Sequence, residues 1–105
     1  MRRVEYFQTE AGREPFREWL QALDKVSRRK IHAFIIRLAA GGAKKNVRSL
    51  GDGIFEIKVD YGPGYRIYFG EASRELILLL VGGDKSSQFR DIRQAKEYWS
   101  KYVSQ

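Results

Sequence analysis

Residues 54–69 read IFEIKVDYGPGYRIYF, apolar and polar side chains alternating with a period of two. Phe55, Ile57, Val59 and Tyr61 fall on one face of a strand, and Glu56, Lys58 and Asp60 on the other. Beyond Gly62-Pro63-Gly64, Tyr65, Ile67 and Phe69 repeat the apolar set, and Arg66 and Tyr68 the polar one. Directly opposed residues point the same way, so the two faces constrain the register of a β-hairpin. Pairing Tyr61 with Tyr65 leaves a Gly-Pro-Gly loop with glycine for a left-handed position. That register sets Asp60 opposite Arg66 and Lys58 opposite Tyr68.

The same patterning places the other elements. RRVEYFQ (2–8) predicts a first strand, with Val4, Tyr6 and Gln8 on one face. Pro15 suits the first turn of a helix, and Phe16, Trp19, Leu20 and Leu23 follow at helical spacing. Asp24 to Arg29 ends that helix and caps the next, whose stripe is Ile31, Phe34, Ile35, Leu38 and Ala39, before Gly41-Gly42 stops it. A short strand is expected near Val47–Leu50. LILLLV (76–81) is apolar on both faces and belongs inside the sheet. Phe89, Ile92, Lys96 (by its stem), Trp99 and Val103 describe a last helix. The order β-α-α-β-β-β-β-α predicts an α+β domain over 1–105, with helices packed on one face of a mainly antiparallel sheet.

Composition narrows the chemistry. The chain has no cysteine, which rules out disulfides, thiol chemistry and iron–sulfur clusters and suits a reducing cytoplasm. With one histidine, a zinc site of the usual kind cannot be built. His32 sits beside the second helical stripe and reads as a structural or surface residue; only its titration range recommends it as a catalyst. No Walker A sequence occurs. GPGYRI joins two strands, where a dinucleotide fingerprint needs a strand followed by a helix. No nucleotide or other cofactor is expected, nor a signal peptide or membrane span.

The formal net charge of +7 favours an anionic partner. The cations form three groups: SRRK (27–30), KKNVR (44–48) and Lys58, Arg66 and Lys85 on or beside the sheet. Lys44, Lys45 and Arg48 either bind phosphate or keep the chain soluble. In the third group, strand polarity puts Lys58, Arg66 and Tyr68 on one surface. With the helices on the other face, this is a concave, solvent-facing sheet. The competing reading is that Asp60–Arg66 and Glu56–Lys58 neutralise one another.

DGIFEIKVDYGPGYRIYF, followed by LILLLVGGDKSSQFRDIRQAKEY, resembles the RelE/ParE superfamily of bacterial toxins, most closely the RelE- or HigB-like addiction-module killer proteins. The carriers are the E-[IL]-[KR] strand, the G-x-[YR]-R-[IV]-x-[YF] return strand, the apolar strand leading to GGDKSSQ, and the helix after it; EPFREWLQAL fits as well. The resemblance implies a type II toxin held by a cognate antitoxin. RelE- and HigB-like members cut mRNA on the ribosome without a metal, by attack of a 2′-hydroxyl on the adjacent phosphate. ParE-like members poison DNA gyrase instead.

Carried over, Arg66 would clamp the phosphate with its planar fork. Lys58 and Lys85 would supply a base or further charge stabilisation. Phe89 stands where several RNA-cutting relatives have tyrosine or histidine, and Tyr68 is the substitute offered by the neighbouring strand. The expected function is therefore an mRNA endonuclease; the alternatives are a gyrase poison and a plain nucleic-acid-binding module.

Overall fold

A computed structural model describes residues 1–105. The elements are β1 (Arg3–Tyr6), α1 (Pro15–Gln21), α2 (Lys25–Ala39), β2 (Val47–Gly51), β3 (Ile54–Val59), β4 (Tyr65–Ser73), β5 (Leu76–Gly83) and α3 (Gln88–Val103). Single 3₁₀ turns, Lys44–Asn46 and Lys85–Ser87, lead into β2 and α3. The strands form one sheet in the order β1-β5-β4-β3-β2, antiparallel except that β1 runs parallel to β5. The α+β class, the element order and the interior place of LILLLV are as the patterning predicts. β5, flanked by β1 and β4, is buried along its whole length.

The helices, however, cover both faces of the sheet. Phe16 and Leu20 of α1 and Ile31, Ile35 and Leu38 of α2 pack against Ile57, Val59, Ile67, Phe69, Ile77 and Leu79. The opposite face carries Ile54, Tyr68, Leu78 and Leu80, and α3 closes it with Ala95 and Trp99. The alternation of β5 explains this: an apolar strand on both faces needs a cover on each. The inward stripe of α3 is Asp91, Ala95 and Trp99, flanked by Ile92, Tyr98 and Tyr102. Phe89 and Val103, expected in that stripe, are exposed.

The hairpin keeps its two faces but not the expected register. Lys58 pairs with Arg66, Glu56 with Tyr68, and Val59 with Tyr65. The pairing differs by two residues from a Tyr61–Tyr65 closure, and a slip of two leaves every side chain on its own face. The strand ends early because the Tyr61 amide turns back to the Val59 carbonyl at 2.8 Å and the Gly64 amide donates to the Tyr61 carbonyl at 3.1 Å. Gly64 takes φ +79°, where a Cβ would be strained. Tyr61 leaves the strand and lies under the Lys30 ammonium, 4.8 Å from ring centre to nitrogen.

α2 is capped by Asp24, whose carboxylate accepts from the Ser27 amide at 3.1 Å. On the far face, Trp99 seals α3 to the sheet. Its indole N–H donates to the Asp52 carbonyl at 2.6 Å. A Cβ on Gly70 would lie 2.3 Å from the Trp99 ring. Only glycine permits this approach, so Gly70→Ala is expected to lower stability by about 1–3 kcal/mol through overpacking, seen as an earlier urea midpoint.

Candidate functional site

The cations predicted from the alternation meet at one end of the sheet. Lys58 of β3 and Arg66 of β4 are direct cross-strand neighbours on the α3 side. With Glu56, Gln88 and the chain from Lys45 to Arg48 they line a cleft of about 350 Å³. The turn at Lys44–Asn46 and β2 form one wall, the first residue of α3 the other.

Arg66 is the central group. Its residue is 6% exposed, and one guanidinium nitrogen donates to the Gly64 carbonyl at 2.7 Å. Its Nε is buried without a partner, and no carboxylate lies within ion-pair distance. A buried cation lacking a counter-ion is costly unless something anionic visits it. The neutralising pairs considered above do not form. Asp60 lies in the loop, exposed, and Glu56 is engaged by Arg48 at 3.2 Å and not by Lys58.

Glu56 is the group the patterning undervalued. It is 5% exposed, sits in the cleft wall, and accepts from the Gln88 amide at 3.0 Å as well as from Arg48. The alternation showed it only as a possible partner for Lys58. Its clamp comes from residues 8 positions upstream and 32 downstream, which no local pattern joins. Gln88 gave no signal of its own in the sequence. Asp91, one turn further along α3, is buried and bonded to the Ser87 hydroxyl. The turn before α3 is fixed by Asp84, whose carboxylate accepts from the Ser86 amide at 2.8 Å. The Ser86 hydroxyl and the backbone amides of Ser86 and Ser87 hold the Asp84 carboxyl below the usual carboxylate range.

The other predicted residues are divided. Lys45 and Arg48 line the cleft, whereas Lys44 turns to the opposite side, toward Arg2, Phe55 and Phe69. Lys85 is exposed on the 3₁₀ turn, its stem beside Gly64, at the Arg66 end but outside the cleft lining. Tyr68 is fully buried under α3, not on a solvent-facing surface. Its hydroxyl faces the Glu56 carboxylate without reaching hydrogen-bond geometry. Burial first, then Glu56, raises its pKa well above that of an ordinary phenol. No three His, Cys, Asp or Glu side chains converge as a metal site requires.

The raised pKa gives a testable sign. Folded Tyr68 stays protonated at pH values where the unfolded phenol ionises. Its contribution is complete below about pH 10 and is lost as pH rises toward the folded pKa. Tyr68→Phe removes a buried hydroxyl that has no partner, so it is expected to match or exceed wild-type stability at pH 7. It should lose less stability than wild type between pH 9 and 11, measured by urea unfolding.

Comparison with known proteins places the chain among relatives. An uncharacterized protein of Haemophilus influenzae is 45% identical over 82 residues, 77% of this chain and 82% of that protein. The family model described as "Phage derived protein Gp49-like (DUF891)" matches residues 18–98, which include the hairpin, the cleft and most of α3. The chain is a member of the Gp49-like family.

Proposed function

We propose that the chain is the toxin of a type II toxin–antitoxin system and cuts mRNA on the ribosome. The observation that carries this reading is the buried Arg66 guanidinium, open to a cleft and unpaired with any carboxylate. Its fork suits two oxygens of a phosphodiester. Lys58, directly opposite, and Arg48 and Lys45 on the facing wall add positive charge where a pentavalent phosphorane would form. The resemblance to RelE- and HigB-like toxins and the Gp49-like family support the same assignment.

The reaction needs a base, charge stabilisation and an acid. Glu56 is the carboxylate in the cleft and takes the proton from the 2′-hydroxyl. The 2′-oxygen bonds to phosphorus, and Arg66 and Lys58 hold the added charge. The bond to the 5′-oxygen breaks, and a lysine ammonium returns a proton to it, Lys58 from within the cleft or Lys85 from its rim. The products are a 2′,3′-cyclic phosphate and a 5′-hydroxyl. Arg48, whose side chain is largely exposed, can leave Glu56 for the phosphate as the substrate enters. Tyr68, being buried, does not meet the substrate. A cognate antitoxin of acidic character would complement the +7 charge. Ribosome-bound mRNA places the action in the cytoplasm.

Primer extension on mRNA from cells briefly expressing the chain tests this. Discrete cuts within translated codons are expected, with the rate falling about 10²–10³-fold in Arg66→Ala and about 10²–10⁴-fold in Glu56→Gln. Arrested growth with intact message would discard the nuclease and point to gyrase. Uniform loss of nucleic-acid affinity without cuts would leave a binding module.

A further inference from the structure

Glu56 is held from two sides by partners of different kinds. Arg48, its direct neighbour across β2 and β3, forms an ion pair with Oε1 at 3.2 Å through a side chain 60% exposed. Gln88, half-buried at the start of α3, donates its side-chain N–H to Oε2 at 3.0 Å. Oε1 thus faces the β2 wall of the cleft and Oε2 the α3 wall. The backbone under Gln88 is itself fixed. Asp84 accepts from the Ser86 amide at 2.8 Å, and its own amide donates to the Ser87 hydroxyl at 3.2 Å. A Cβ on Gly83 would lie 1.8 Å from the Asp91 carboxylate, so the end of β5 and the first turn of α3 meet with no room for a side chain.

We propose that Gln88 is a positioning residue for the proton transfer, holding Glu56 by Oε2 so that Oε1 faces the substrate once Arg48 leaves. The inference rests on the nuclease reading and deepens it by separating a permanent hold from a releasable one. An arriving phosphate attracts the Arg48 cation, whose long, exposed side chain can follow it. The Gln88 amide carries no net charge, so the same phosphate leaves it in place. The terminal torsion of a glutamate is broad, and without a second donor the carboxylate would turn once Arg48 had gone. Gln88 removes that freedom, as a base that must stay within hydrogen-bond reach of its proton requires. In the free protein both oxygens are engaged, so Arg48 covers Oε1 until an anion draws it off.

The test is cutting of mRNA held on ribosomes by the purified chain, read as the rate at saturating chain and the concentration giving half of it. Gln88→Met keeps the length and removes the donor. Its saturated rate is expected to fall about 10²-fold, as for a misplaced reacting group, with half-saturation unchanged. Arg48→Ala is expected to raise the half-saturating concentration and to lessen its salt slope by about 1, as loss of one phosphate contact does. Circular dichroism gives the folded fraction, and Gln88→Ala, which also lacks the donor, decides if Gln88→Met does not fold. A wild-type saturated rate in the folded Gln88 variant, beside a lost rate in Glu56→Gln, would overturn the positioning role and leave the nuclease standing. An unchanged saturated rate with a raised half-saturating concentration would overturn it too, placing Gln88 against the substrate. If Glu56→Gln cuts as wild type, the role fails with the assignment of the base. If wild type does not cut, or Arg66→Ala cuts as well as it does, the inference falls together with the nuclease reading.

Discussion

Two cations stand directly opposite each other across β3 and β4, and the rest of the molecule is what keeps them there. Like charges at such a position cost roughly 0.2–1 kcal/mol. Each large apolar side chain buried in the same strands contributes about 1.5–3 kcal/mol. Ile57, Val59, Ile67 and Phe69 are all buried on one face, and Ile54 and Tyr68 on the other. Packing on two faces therefore outweighs the repulsion several times over, and the register cannot slip to relieve it. The sheet acts as a rigid plate that holds Lys58 beside Arg66, which a flexible loop would let drift apart.

The carboxylate in the same cleft changes its electrostatics. Glu56 offsets part of the local positive charge, but its bonds go to Arg48 and Gln88, leaving Arg66 without a carboxylate partner. Charge is thus present in both signs within one cleft, as the proposed acid–base reaction needs. A plain phosphate-binding surface has no use for a buried carboxylate in its wall. Glu56 is for that reason as informative as the cations around it.

How much of this could be read from the sequence depends on the range of the interaction. The faces of the hairpin were legible because alternation is local, and they survive a two-residue error in register. That error arose because Tyr61 continues the apolar pattern yet leaves the strand to lie under Lys30, a contact 31 positions away. The two apolar faces of LILLLV were visible too, and they carry the reason for a second helical layer. The cover on the far face was harder to see, because α3 buries a narrow stripe containing Asp91 and leaves Phe89 and Val103 in solvent. Of the site, Lys58, Arg66, Lys45 and Arg48 were readable as exposed-face cations. The hold of Gln88 on Glu56 was not, since it joins a strand to a helix 32 residues later.

The parallel strand at the sheet's edge bears on how the chain is made. Arg3 aligns with Leu76 and Tyr6 with Leu79, so the first strand has nowhere to dock until more than 70 further residues have been synthesised. The cleft waits longer still, because Gln88 and the helix that carries it come last in chain order. A chain emerging from the ribosome N-terminus first passes most of its synthesis with β1 unplaced and the cleft missing a wall. The cleft is complete only when the final helix closes over the sheet.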